Sequence, residues 1–267
     1  MNKMSDPFKI IEPTCISFSG GRTSAYMLWR VLQSNNGLPD EAIVCFANTG
    51  KEDEATLRFV QDCSEHWNVP ITWLEFLSCS GKNKYQVVNF ETANRNGEPF
   101  ERLIKQKSFT PNAVMRFCTE ELKVKPIKAF TNLDDDETMV GIRADESHRI
   151  AKMRKRGLLI PLVTEKVVKA DVRSFWKSQP FDLGLDERDG VTQLGNCDLC
   201  FLKPAGQIFG LIQDKPSRAI WWAKQEKAVG GTFHKDRPSY EAMLQFEKNQ
   251  QILFDPNEEA IACFCGD

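Results

Sequence analysis

Cys15-Ile16-Ser17-Phe18-Ser19-Gly20-Gly21-Arg22-Thr23-Ser24 decides the fold: an apolar run reaches two glycines, and Ala25-Tyr26-Met27-Leu28-Trp29-Arg30-Val31-Leu32 continues with helical spacing. A strand that turns on glycines into a helix makes a phosphate site. The glycines let backbone approach the anion, and the first helical N–H groups have no intrahelical acceptor and point at it. The hydroxyls of Ser19, Thr23 and Ser24 add donors beside Gly20 and Gly21. The loop lacks the Lys-Ser/Thr pair of a Walker A motif and the third glycine of GxGxxG. On these residues alone, a turn whose small residues serve packing is an equal alternative.

Working outward, the same alternation recurs. Residues 14–19 are expected as the first buried strand and 23–32 as the first helix. Residues 42–47 form a second apolar run, which stops at Asn48-Thr49-Gly50-Lys51-Glu52. A helical pattern follows with Leu57, Phe59, Val60 and Cys63 on one face and acids in its first turn, where they complement the helix dipole. Pro70 precedes a third strand over 71–77. Near-continuous apolar strands separated by helices indicate βαβ units and a parallel sheet. Residues 78–111 read as a surface insertion with a short helical piece at 100–104. A helix is expected over 119–132, interrupted at Pro126. Residues 133–137 read as a solvated loop, 138–143 as the fourth strand and 158–163 as the fifth. Beyond residue 180 periodicity fades until helices near 219–229 and 240–251. The expected organisation is an α/β domain over 1–180 with a five-stranded parallel sheet, and a cysteine-bearing C-terminal region over 181–267 that folds back on it.

Composition sets outer limits. With 41% hydrophobic and 27% charged residues, the 267-residue chain has the make-up of an ordinary globular protein. It has no apolar run long enough to cross a membrane, and residues 1–13 are too polar for a signal peptide, so a cytoplasmic location is expected. A net charge of −2 argues against an extended phosphate-tracking surface but permits a local basic pocket. The run Lys152-Met153-Arg154-Lys155-Arg156 is weighed mainly as a solvated loop, and Trp221-Trp222 as core or tail-docking residues. Among the three histidines, His66, His148 and His234, no ligand spacing occurs.

Nine cysteines in a chain of this type call for thiol chemistry, since disulfides are uncommon in the cytosol. Cys15 and Cys45 lie within apolar strands and read as buried small hydrophobes. Cys118, the Cys197-x-x-Cys200 pair, and Cys263 with Cys265 stand apart. A Cys-x-x-Cys turn places two thiolates on one metal, and soft sulfur selects an Fe–S cluster or zinc.

Ligands of open parallel sheets bind beyond the carboxyl ends of the strands. Three such ends are polar here: Ser17 to Ser24, Asn48 to Glu52, and Gly141-Ile142-Arg143-Ala144-Asp145-Glu146-Ser147-His148-Arg149. Taken in order, these motifs resemble those of the phosphoadenosine and adenosine phosphosulfate reductases, members of the PP-loop group of adenine-nucleotide α-hydrolases. The segment from Pro161-Leu162 to Lys169-Ala170-Asp171-Val172-Arg173-Ser174-Phe175-Trp176 is similar to their Pro-Leu…Asp-Val-Trp stretch. Together these cover about residues 14–205, and the chain looks closest to phage and prophage members.

The resemblance implies a Rossmann-like PP-loop fold with a nucleotide site at Ser17, Ser19, Gly20, Gly21, Arg22, Thr23, Ser24, Asn48, Thr49, Gly50, Gly141 and Ser147. It implies that Arg143 and Arg149 grip the phosphosulfate, as planar guanidinium suits a bidentate oxyanion. Where the reductases carry a Cys-Cys pair, this chain has Cys118 alone. A [4Fe–4S] cluster would take Cys118, Cys197, Cys200 and, from the tail, Cys263; a position left open to substrate, a structural zinc, and core cysteines that hold no metal are the alternatives. Cys265-Gly266 echoes the reductases' nucleophilic cysteine without their following Leu-His. Cys265 is therefore expected as the attacking thiolate, with a thioredoxin-like reductant as partner. The implied substrate is a phosphosulfate nucleotide. One rival is an ATP pyrophosphatase that adenylates and thiolates tRNA or DNA, although Thr23 stands where such enzymes usually have Asp. A non-catalytic nucleotide-binding accessory protein is a third reading, and a homodimer is one option for the assembly.

Overall fold

The computed structural model describes residues 6–81, 84–188 and 191–249. The opening stretch folds as read: β1 (Thr14–Ser17) passes through the glycine turn into α1 (Arg22–Asn35). Next come β2 (Ala42–Asn48), α2 (Glu54–Trp67) and β3 (Ile71–Phe76). Asp53 caps α2 by accepting from the Ala55 N–H at 3.0 Å, the contact an N-terminal acid is placed to make.

The segment expected as a surface insertion is built into the fold. It forms β4 (Tyr85–Val88), antiparallel to β3, and α3 (Glu98–Lys107), which buries Phe100, Leu103 and Ile104. A strand of four residues at a sheet edge carries too little alternation to be recognised. The helix expected over 119–132 is α4 (Phe117–Thr119), a π turn (Glu120–Val124) and α5 (Lys125–Thr131). The π turn immediately before Pro126 accommodates the missing N–H without breaking the rod.

A 3-10 turn (Asp135–Glu137) leads into β5 (Thr138–Val140), so the supposed solvated loop is ordered. Asp135 accepts ion pairs from Lys128 and Arg156, both at 2.8 Å. The basic run is not a loop either, because it ends α6 (Ser147–Arg156). The expected fifth parallel strand is absent. Leu159 makes a single parallel bridge to Met139, and Pro161 opens α7 (Pro161–Thr164), since proline cannot continue the ladder but suits a first helical turn.

After α8 (Lys169–Lys177) come a two-residue hairpin of β6 (Glu187–Arg188) and β7 (Val191–Thr192), then α9 (Ala205–Asp214), α10 (Ser217–Val229) and α11 (Tyr240–Asn249). Helix α9 was not anticipated.

The sheet order is β4-β3-β2-β1-β5, with four parallel strands and an antiparallel edge. This is a Rossmann-like α/β sheet of PP-loop type. Strand order reverses between β1 and β5, which puts the binding crevice at the carboxyl ends of those strands. One apolar core lies between the sheet and α1, α2 and α8. A second joins Phe76, Phe100, Leu103 and Leu122 to Leu199, Phe201, Ile208, Trp222, Phe233 and Tyr240. The C-terminal region thus shares a core with α3 and the end of β3. Trp222 is fully buried there, consistent with the core reading of the tryptophan pair. Among the described residues no helix is long and apolar enough to cross a membrane.

Candidate functional site

The glycine turn is held in shape by its own side chains. Ser24 Oγ accepts from the Ser19 N–H (3.2 Å) and the Ser19 hydroxyl (2.9 Å), and donates to the Gly21 carbonyl (3.0 Å). Gly20 has φ +80°, and a Cβ there would stand 2.8 Å from Thr56 Cγ2 and 3.1 Å from the Phe46 ring. Only glycine satisfies both constraints. Behind the loop, a Cβ on Gly141 would meet Ser24 Cα at 2.9 Å, so the end of β5 reaches the start of α1 only because residue 141 lacks a side chain. We predict that Gly141→Ala separates these backbones, destabilising the protein by about 1–3 kcal/mol, the usual cost of overpacking, and weakening nucleotide binding. Denaturant unfolding with calorimetric titration checks both; an unchanged midpoint would overturn it.

Two hollows meet at this turn. A cavity of about 120 Å³ is lined by Ser17 and Ser19 of the loop, Ala47, Thr119, Lys123, Ile127, Val140, Met153 and Arg156. A smaller one of about 20 Å³ is lined by Ser19, Gly20, Gly21, Glu52, Thr56, Lys123 and Asn196. The first is mostly apolar with cations at its wall. The second lies against the glycines. Lys123, on the π turn, borders both.

The other motif residues divide between wall and support. Thr23 is buried and its hydroxyl accepts from Arg143 Nη1 at 2.9 Å. Asn48, fully buried, donates to Glu75 Oε1 (2.6 Å) and the Asn94 carbonyl (2.8 Å), while its Oδ1 accepts from the Gly50 N–H (3.0 Å). Glu75 also accepts from the Asn94 N–H (2.7 Å), Gln86 Nε2 (2.9 Å) and Asn94 Nδ2. Its buried carboxylate is met by four donors, as such a charge requires. Asn48 thus shapes the second loop. The Thr49 N–H and hydroxyl both donate to Glu52 Oε2 (2.9 and 2.8 Å).

The arginines are already engaged. Arg143 pairs with Asp145 at 3.0 Å, and Arg149, 4% exposed, pairs with Glu146 at 2.5 Å; its Nε is buried with no hydrogen-bond acceptor. Arg22 lines neither hollow and pairs with Asp182 (2.7 Å) and Glu187 (2.6 Å), and its bond to Asp182 holds its pKa above the ordinary range. Ser147 is exposed at the start of α6 and borders neither hollow. Of the basic run, Arg156 enters the cavity wall. Partial burial, with Arg116 and Arg156 nearby, lowers the Lys152 ammonium below its usual range.

The Cys-x-x-Cys segment lies directly on the second motif. Glu52 and Cys197 form an antiparallel bridge, the Asp198 N–H donates to the Lys51 carbonyl at 2.8 Å, and Cys197 Sγ is 3.6 Å from Thr49 Oγ1. Lys51 Nζ pairs with Asp198 Oδ2 at 3.0 Å and sits 5.1 Å from the Trp221 ring centre. Cys197 and Cys200 are buried in the second core, and Cys118 packs against it. Among the described residues, however, no three His, Cys, Asp or Glu side chains are grouped to hold a metal. Cys263 and Cys265 lie outside the described residues. The described thiols therefore do not by themselves assemble a ligand set.

Sequence reasoning missed Lys123 and Asn196, passed over Glu52 within a motif it had quoted, and gave Arg156, within the basic run, less weight as a site residue than as part of a solvated loop. The only available signal for Lys123 was its place in Arg116-Phe117-Cys118-Thr119-Glu120-Glu121-Leu122-Lys123, ahead of Pro126.

Residues 13–156 match the phosphoadenosine phosphosulfate reductase domain family. The uncharacterized nin region protein ORF290 of Escherichia phage lambda is 35% identical over 206 residues, spanning 72% of this chain and 67% of the relative. The uncharacterized protein MJ0066 of Methanocaldococcus jannaschii is 26% identical over 233 residues, 83% of this chain but 42% of that longer protein.

Proposed function

The chain belongs to the phosphoadenosine phosphosulfate reductase domain family, and on that premise we propose that it is a reductase-like enzyme acting on a phosphosulfate nucleotide. The observation that carries the reading is the seam where Cys197 Sγ meets Thr49 Oγ1 at 3.6 Å, which brings a sulfur-bearing segment to the edge of the glycine-loop hollow.

In this reading the adenosine moiety enters the cavity of about 120 Å³ and the phosphate lies against Ser19, Gly20 and Gly21. The helix N-terminus and Lys123 balance its charge. Arg143 and Arg149 bind the sulfonate oxygens and are pre-oriented by Asp145 and Glu146. The thiolate of Cys265 attacks sulfur. A sulfur–sulfur bond forms, the sulfur–oxygen bond to phosphate breaks, and the adenosine nucleotide leaves with the electron pair. A thioredoxin-like dithiol then attacks Cys265 Sγ, becomes a disulfide, and releases sulfite with Cys265 restored. Cationic neighbours favour the thiolate needed for the first step.

A [4Fe–4S] cluster on Cys118, Cys197, Cys200 and Cys263, or zinc on the same thiols, forms part of the proposal. Iron, sulfide and zinc analysis of anaerobically purified protein tests it. Loss of the metal in Cys197→Ala but not in Cys63→Ala is the expected pattern.

Sulfite release from a phosphosulfate nucleotide with thioredoxin, abolished in Cys265→Ser, is the expected result for the reaction. Absence of sulfite, with AMP and pyrophosphate formed from ATP only when tRNA or DNA is present, would overturn it in favour of nucleic-acid thiolation.

A further inference from the structure

The wall of the larger cavity is electrically balanced. Lys123, Lys128 and Arg156 line it, and each is paired with a carboxylate. Lys123 Nζ lies 3.4 Å from Glu52 Oε1. Lys128 Nζ meets Asp135 Oδ1 at 2.8 Å and Asp134 Oδ1 at 3.4 Å. Arg156 holds Asp135 with two nitrogens, Nε at 2.8 Å and Nη2 at 3.2 Å. Among the described residues, Asp135 is the acid that lines the cavity itself, and its side chain is 21% exposed. Burial raises its carboxyl, but the guanidinium and the ammonium outweigh burial and hold it below the usual range, so it is ionised at neutral pH. Most of the remaining wall is apolar. The cavity thus offers a ligand one ionised acceptor and cations whose charge is already matched.

That balance bears on the ribose of the nucleotide. A ribose hydroxyl donates well to a carboxylate, whereas a phosphate on the ribose needs an arginine in its place; dinucleotide sites use this same exchange to tell the two apart. A phosphate monoester would bring about 1.5–2 negative charges against Asp135, with Lys128 and Arg156 already neutralised by acids. We infer that Asp135 makes this cavity select a nucleoside whose ribose hydroxyls are free, so that the substrate class is an adenosine 5′-phosphosulfate carrying no 3′-phosphate. Asp135 accepts from the ribose hydroxyl and repels a phosphate placed there. In a partly buried site, one such like-charge contact is enough to change affinity about tenfold.

The inference rests on the adenosine moiety lying in this cavity, and the test separates the two. Adenosine 5′-monophosphate and adenosine 3′,5′-bisphosphate are titrated calorimetrically into the full chain. The monophosphate is expected to bind about tenfold tighter or more. Asp135→Asn keeps an oxygen for the hydroxyl and releases Lys128 and Arg156 from one acid, so the ratio should fall below about threefold. A residue that only ties α5 to α6 through those two cations would weaken both ligands alike. An unchanged ratio in a folded Asp135→Asn protein therefore removes Asp135 as the selecting residue. A wild-type ratio under about threefold, or tighter binding of the bisphosphate, overturns the substrate class and leaves the nucleotide reading standing. Failure of either nucleotide to bind overturns both. Should Asp135→Asn fold poorly, the wild-type ratio decides alone.

Discussion

Asp198→Ala is expected to lower stability by about 3–5 kcal/mol, the cost of removing one partner of a buried ion pair. The Lys51 and Asp198 side chains are 8% and 11% exposed, and their 3.0 Å contact lies where the C-terminal region docks on the second motif. The same carboxylate accepts from Trp222 Nε1 (2.9 Å) and the Leu199 N–H (2.7 Å), so its loss strands a buried ammonium and two donors together. Asp198→Asn keeps an acceptor for both N–H groups and removes only the charge; it should fall between wild type and alanine. The exposed pair of Arg188 and Asp214, 56% and 48% exposed, serves as control, and Asp214→Ala should cost under about 1 kcal/mol. Urea unfolding of the three variants checks the series. An Asp198→Ala midpoint no lower than that of Asp214→Ala would mean the docking seam is not a buried charge contact.

Lys123→Ala is expected to weaken nucleotide binding about tenfold to a hundredfold. A hydrogen bond to a charged group contributes about 1.5–3 kcal/mol, and 1.4 kcal/mol is a factor of ten in affinity. Among the described residues, Lys123 is the cation that lines both hollows. Its removal also leaves the Glu52 carboxylate buried without the 3.4 Å ion pair, so some stability will be lost with it. The double variant Lys123→Ala, Glu52→Gln separates the effects: stability should recover while affinity does not. Calorimetric titration with parallel thermal unfolding reads both. A change in affinity under about threefold in a folded Lys123→Ala protein would remove Lys123 from the site.

What was legible in the chain follows from range. The β1–loop–α1 unit was readable because each of its constraints is local: an apolar run, glycine at φ +80°, and a helix whose periodicity begins at once. The next two strands and α2 were readable for the same reason. So was the isolation of Cys118, Cys197 and Cys200 from the strand cysteines Cys15 and Cys45, which the structure places in different clusters. Residues 158–163 misled because an apolar run of that length suits a strand or a packed turn equally, and Pro161 settles it only in the folded context.

Tertiary structure alone decided which motif residues line the hollows. Arg22 stands inside the glycine loop yet pairs with Asp182, 160 positions along the chain, and lines neither hollow. Lys123, on the π turn before Pro126, lines both hollows, and Glu52 is bridged to Cys197 across 145 residues of chain. The amino-acid sequence by itself determined the class of sheet and the presence of a phosphate loop, since those depend on neighbours within a few residues. The charge balance of the site depends on pairs far apart in the chain, and no periodicity encodes such a pair.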